Sequence, residues 1–80
     1  MITIKLFAAM AEEAGEDVLT LAWRDGLSTG EVKRWLGEQY PALAVRIPSA
    51  MIAVNQDFVA GEEALRDGDE VAFIPPVSGG

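Results

Sequence analysis

The residues best placed for chemistry lie at the end of the chain, which finishes Pro75-Pro76-Val77-Ser78-Gly79-Gly80. The two glycines leave no Cβ beside the α-carboxylate, so a bulky reagent or a narrow channel can reach it. Six extended residues span about 20 Å, enough to enter the active site of a neighbouring protein. The prolines favour extended conformers and so lower the entropy lost on binding. This tail predicts a carrier arm whose reactive group is the carboxylate of Gly80.

The composition excludes most self-contained catalysts. The 80 residues include no histidine and no cysteine, so Ser-His-Asp triads, thiol nucleophiles, disulfides and zinc sites of Cys or His type are excluded. Acidic residues cluster near turns, as in Asp67-Gly68-Asp69-Glu70, but without the spacing of a calcium loop. We therefore expect no metal site and no cofactor bound by this chain, and any chemistry of its own must use carboxylates, hydroxyls, lysine or the chain ends.

The charge and hydropathy of the chain limit the classes of partner that it can bind. Six basic residues against thirteen acidic ones give a net charge of -7, which repels a polyphosphate backbone and favours a protein with a basic surface. The apolar run at residues 6–11 is too short for a signal peptide or a membrane span. The sequence predicts a cytoplasmic protein that binds neither nucleic acid nor membrane.

The first half of the chain shows strand, helix, strand and helix patterns. Alternation over residues 2–7 predicts a strand, and the helix formers of residues 8–14 predict a short helix stopped by Gly15. Residues 17–23 predict a second strand that pairs with the first. Ser28 and Glu31 have the spacing of a capping box, in which each side chain bonds the other residue's amide, so the main helix begins there. We expect it to end at Tyr40-Pro41.

The second half of the chain contains shorter predicted segments than the first half. Residues 42–50 predict a loop with one helical turn at 43–45, residues 51–54 and 58–60 predict two strands with a tight connection, and residues 62–65 predict a single turn. Residues 70–74 form the last predicted strand, ended by the two prolines. A mixed sheet of four or five strands under one main helix is an α+β arrangement and matches a β-grasp, or ubiquitin-like, roll. We expect a β-grasp domain over residues 1–74 and an extended carrier tail over 75–80.

The segment DGDEVAFIPPVSGG at residues 67–80 resembles the C-terminal signature of the small, sulfur-carrying subunits of molybdopterin synthase. The resemblance extends to Ala53-Val54-Asn55 and to Ile4-Lys5-Leu6-Phe7-Ala8, so it covers essentially the whole chain. It implies a β-grasp fold and a sulfur-transfer role in the synthesis of the molybdenum or tungsten cofactor.

The resemblance also implies how sulfur is carried. An adenylating enzyme of the ubiquitin-activating type would use ATP to activate Gly80, next to Gly79, and a sulfur donor protein would then supply the sulfur of a thiocarboxylate. The large synthase subunit would receive the tail, contact Pro75, Pro76, Val77 and Ser78, and move the sulfur onto a cyclic pyranopterin monophosphate. Two small and two large subunits are implied, and the catalytic side chains would belong to the partners.

A docking patch is expected beside the tail. Alternation places Phe7 on the face opposite the buried side of the first strand, and Ile74 opposite Val71 and Phe73 in the last. Phe58 follows a tight turn and would join them in an exposed apolar patch. These positions match interface positions in the resembled family. The alternative is that residues 8–14 cover Phe7.

Other functions are compatible with the same features. Carriers for thiamine, cysteine or tRNA thiolation and ubiquitin-like protein modifiers also end in Gly-Gly, although residues 75–78 resemble the molybdopterin type more. An interaction domain without tail chemistry is a further alternative.

Overall fold

The computed structural model describes residues 1–76. Its strands are β1 (Ile2–Leu6), β2 (Val18–Leu21), β3 (Met51–Val54), β4 (Asp57–Val59) and β5 (Glu70–Ile74), and its α-helices are α1 (Ala8–Ala14) and α2 (Thr29–Gln39). Two single 3-10 turns, Pro41–Leu43 and Ile47–Ser49, connect α2 to β3. The predicted order of strands and helices is confirmed.

The strands form one mixed sheet in the order β2-β1-β5-β3-β4. β1 and β5 lie side by side and parallel in its interior, with Leu6 in register with Phe73, and the other neighbouring strands are antiparallel. The first and last strands along the chain therefore meet at the middle of the sheet. This arrangement, with α2 packed across one face, confirms the predicted β-grasp fold.

The core lies between α2 and the sheet face that carries the even-numbered residues of β1. Ile2 and Ile4 are fully buried, which confirms the alternation predicted for β1. Val71 and Phe73 of β5 are also fully buried, but the small Ala72 between them, on the opposite face, is buried too. Further buried apolar side chains come from α1, α2 and the connections: Met10, Leu27, Val32, Leu36, Leu43, Ile47 and Leu65. The apolar stripe of α2 fits this packing, because residues three and four apart share one helix face.

Helix ends follow the sequence signals in part. Gly15 ends α1 with a φ of 76°, the left-handed conformation that glycine adopts without a Cβ penalty. At α2, Ser28 Oγ accepts a hydrogen bond from the Glu31 amide at 3.4 Å, as predicted. The reciprocal half of the capping box is wrong, because the Glu31 carboxylate faces the guanidinium groups of Arg24 and Arg34.

Residues 62–65 are not a turn, which corrects the prediction. The Leu65 amide donates to the Leu27 carbonyl at 2.9 Å, and the Thr29 amide donates to the Glu63 carbonyl at 2.9 Å. Ala64 forms an isolated antiparallel bridge with Ser28. Long-range pairing with the start of α2 holds this segment extended, and a local pattern does not contain that information. The turn expected at residues 43–45 is present, because the Arg46 amide donates to the Leu43 carbonyl at 2.9 Å, and it lies between the 3-10 turns Pro41–Leu43 and Ile47–Ser49.

Candidate functional site

The first two tail residues, Pro75 and Pro76, called the root of the tail here, directly follow β5, which is an interior strand of the sheet. β5 pairs with β1 on one side and with β3 on the other, where Ile74 is in register with Met51. Pro75, which has no amide hydrogen to continue the ladder, is buried, and Pro76 is exposed. The last two described residues therefore pass from a buried to an exposed position. The other predicted tail residues, Val77, Ser78, Gly79 and Gly80, lie outside the described residues.

The sheet face turned away from α2 is called the outer face here. Strand registers place the following side chains on it: Thr3, Lys5, Val18, Thr20, Met51, Ala53, Phe58, Glu70, Ala72 and Ile74. The large apolar members among them flank two small residues, Ala53 and Ala72, which are directly paired across β3 and β5. The outer face is therefore largely apolar, and its centre is a shallow depression because the two alanines there are smaller than the side chains around them.

The predicted docking residues lie on or next to this face with different exposure. Phe58 is 66% exposed and Phe7, which follows β1, is 45% exposed, so α1 does not cover Phe7. Ile74 is half-buried rather than freely exposed, because it is on an interior strand with Met51 in register beside it. Their role in binding a partner stays a prediction.

Two further apolar residues of the outer face are absent from the sequence prediction. Val18 is 49% exposed and Met51 is 48% exposed. Met51 lines a cleft of about 320 Å³ together with Phe58. Val18 lines a hollow of about 450 Å³ together with Phe7 and the start of α1. Alternation within β2 and β3 could have identified both, since their buried neighbours Leu19 and Ile52 occupy the opposite face.

A polar network holds the N-terminal end of β5, opposite the end that leads to the tail. The Asp69 carboxylate accepts hydrogen bonds from the Arg66 amide at 2.8 Å and from Asn55 Nδ2 at 2.9 Å. Asn55 Oδ1 in turn accepts from the Glu70 amide at 3.0 Å. The bond from the Arg66 amide, and then that from Asn55, lowers the pKa of Asp69. The network joins the β3–β4 turn to the strand that leads to the tail.

Residues 1–76 contain neither a cluster of metal-ligating side chains nor a membrane-spanning helix. This part of the chain holds no group of three or more acidic side chains suited to a metal ion. No helix within it is long and apolar enough to cross a bilayer. The cytoplasmic location stays a prediction.

Comparisons with known proteins match the chain from end to end. The ThiS family model matches residues 4–80. The molybdopterin synthase sulfur carrier subunit of Chlamydomonas reinhardtii is 40% identical over 81 residues, which cover 99% of this chain and 98% of that protein. The corresponding subunit of Escherichia coli (strain K12) is 38% identical over 82 residues and is matched over the full length of both chains. Among solved structures, SAMP1 from Haloferax volcanii has a TM-score of 0.88 at 32% identity, covering 99% of this chain and 98% of that one. Together with the topology, these matches show that the chain belongs to the ThiS family, alongside the molybdopterin synthase sulfur carrier subunits.

Proposed function

We propose that this protein is the sulfur-carrying small subunit of a molybdopterin synthase, with Gly80 as the carrier of sulfur. The observation that supports this most is the full-length match to sulfur carrier subunits at up to 40% identity. The family match also runs through Gly80, so it includes the tail on which the proposed chemistry depends.

The proposed chemistry activates a carboxylate that is otherwise inert. At neutral pH the α-carboxylate of Gly80 is ionised and resists nucleophiles. Transfer of AMP from ATP forms an acyl-adenylate at Gly80 and releases pyrophosphate. Hydrosulfide released by a donor protein then attacks the acyl carbon, so that a C–S bond forms, the bond to AMP breaks, and loss of the sulfur's proton leaves a thiocarboxylate. ATP is used by the activating enzyme and is not a cofactor of this chain.

In this proposal the folded body positions the tail and the partners supply catalysis. β5 is held by hydrogen-bonded neighbours on both sides, so the root of the tail has a defined place on the body. The rings of Pro75 and Pro76 fix their φ angles and so limit the conformers at the base of the tail. The outer face would dock on the large synthase subunit while residues 77–80 enter its active site.

Intact mass spectrometry tests the carrier role. The full-length protein is incubated with the adenylating enzyme, ATP and a sulfur source. We expect a gain of about 16 Da, the replacement of one oxygen by sulfur, and fragmentation should confine it to Gly80. A matched protein with one alanine added after Gly80 keeps the folded body and should gain nothing. If the unmodified chain gains no mass, or if the extended chain gains the same mass, the proposal is wrong.

A second candidate function is that of a protein modifier, which the similarity to SAMP1 favours. The related protein from Methanosarcina acetivorans, a small archaeal modifier protein, also has a TM-score of 0.85 at 32% identity. A modifier would join the activated Gly80 to lysines of other proteins. Covalent ladders containing this chain in cell extracts would support that function, and their absence beside an active synthase would favour the carrier.

A further inference from the structure

An ion pair lies on the outer face, beside its apolar centre of Ala53 and Ala72. Lys5 Nζ is 3.0 Å from Glu70 Oε2, and the two side chains are 41% and 26% exposed. Neither residue is explained by the carrier chemistry, which uses the tail, or by the core, which lies on the other side of the sheet.

The strand registers place Lys5 inside the proposed docking surface, and Glu70, in register with Thr3 on β1, lies beside it at the start of β5. Lys5 is in register with Val18 on β2 and with Ala72 on β5. The same row continues from Ala72 to Ala53 and then to Phe58. A partner that contacts both Val18 and Phe58 must therefore cover Lys5 as well.

Covering the pair changes its energetics. In the free protein both side chains reach water, and such exposed pairs contribute little to stability. Under a partner both charges lose water, which is costly unless their remaining hydrogen-bonding sites are filled. A lysine ammonium has three donors and a carboxylate has two acceptor oxygens. Among residues 1–76, each of these two side chains forms an ion pair only with the other.

We propose that the Lys5–Glu70 pair is a specificity-determining element of the docking surface. The large subunit that covers the outer face presents an apolar surface with a hydrogen-bond acceptor opposite Lys5 and a donor opposite Glu70. A purely apolar surface of the same shape is rejected, because it buries the two charges without compensating bonds. This inference rests on the proposed function.

A double-mutant cycle tests the proposal. The dissociation constant between the full-length chain and the purified large subunit from the same organism is measured by calorimetry for the unmodified protein, Lys5→Met, Glu70→Gln and the double variant. Each single variant leaves one buried charge unpaired, so we expect affinity to fall by about 10- to 100-fold. The double variant should lose clearly less than the product of the two single losses.

Control variants match the charge changes away from the outer face. Arg34→Met and Glu38→Gln, both on α2, make the same changes in net charge and should alter affinity less than about twofold. The melting temperatures of the Lys5 and Glu70 variants should change by only a few degrees, since the pair is partly exposed in the free chain.

Three results would overturn the inference. Single variants that bind within twofold of the unmodified chain would place the pair outside the contact. A Lys5→Met variant that binds more tightly would show that the partner tolerates the charge without recognising it. Losses that multiply in the double variant would show that the two residues act independently. If the unmodified chain does not bind the large subunit, the proposed function itself fails, which is a distinguishable result.

Discussion

At the scale of single residues, Asp69 connects the tail-bearing strand to a distant turn. Its carboxylate accepts from the Arg66 amide, just before β5, and from the Asn55 side chain in the β3–β4 turn. Asn55 has a φ of 51° and its neighbour Gln56 a φ of 72°, as two-residue hairpin turns require. The charge on Asp69 thus stabilises the alignment of β5 with the hairpin next to it.

The lowered pKa of Asp69 predicts an acid-dependent loss of stability. Because the folded state holds the carboxylate ionised below its ordinary pKa of about 3.9, the contribution is present above that pH and is lost as pH falls through the folded value. Asp69→Asn should lower the free energy of unfolding by about 1 kcal/mol at pH 7 and by less at pH 3, measured by urea denaturation. Asp25→Asn, at an exposed turn, is the control. Equal losses at both pH values for Asp69→Asn would contradict this assignment.

At the scale of elements, the start of α2 depends on one hydroxyl. Ser28 Oγ accepts from the Glu31 amide and donates to Glu62 Oε2 at 2.6 Å, so it caps the helix and contacts the extended segment that follows β4. The same segment is joined to α2 by the bonds between Thr29 and Glu63. Capping and long-range pairing therefore stabilise the same helix end.

Removing this cap should destabilise the fold measurably. Ser28→Ala deletes the acceptor for the Glu31 amide and should lower the free energy of unfolding by about 1 kcal/mol in chemical denaturation. Ser28→Thr keeps a hydroxyl and should recover most of it. Ser49→Ala removes an exposed hydroxyl that donates to the Arg46 carbonyl at 3.2 Å, and serves as the control. A Ser28→Ala protein as stable as the Ser49→Ala protein would exclude the capping role.

Local sequence patterns predict the strands and helices, but they do not predict the long-range contacts between them. Alternation identified the core-facing positions of β1 and β5, and Gly15 and Ser28 marked helix ends, because these signals depend on neighbouring residues. The bridge between Ser28 and Ala64 joins residues far apart in sequence, so the segment near Ala64 was predicted wrongly. The half-burial of Ile74 likewise depends on Met51, which reaches it only in the folded sheet. Lys5 was recognisable as an outer-face residue, but its pairing with Glu70 required the parallel β1–β5 register.

At the scale of the whole molecule, the residues that stabilise the fold and those proposed to bind a partner lie on opposite faces of the sheet. The core lies between α2 and one sheet face, and the exposed aromatic side chains lie on or beside the other. Side chains that are exposed in the free chain contribute little to its folding, so the outer face is available for a partner.

A serine at position 58 should separate these two roles. Phe58 is 66% exposed, so Phe58→Ser should leave the melting temperature nearly unchanged while weakening binding to the large synthase subunit about tenfold or more. Val45→Ser is the matched control, because Val45 is 82% exposed but lies in the connection between α2 and β3. Binding by calorimetry and melting by circular dichroism provide the two measurements. Equal affinities for the two variants would exclude Phe58 from the contact.

The central place of β5 in the sheet also determines when the fold can be completed during protein synthesis. As the ribosome makes the chain, the antiparallel pairs β1–β2 and β3–β4 emerge before β5, so each pair still lacks its neighbour in the sheet. Only when β5 inserts between them does the sheet close and the core become complete. A nascent chain that stops before residue 70 would therefore expose apolar strand edges and be a target for chaperones and proteases. The sheet therefore closes only after β5 has been made. In the proposed route, an activating enzyme that recognises the finished sheet would not act on unfinished chains.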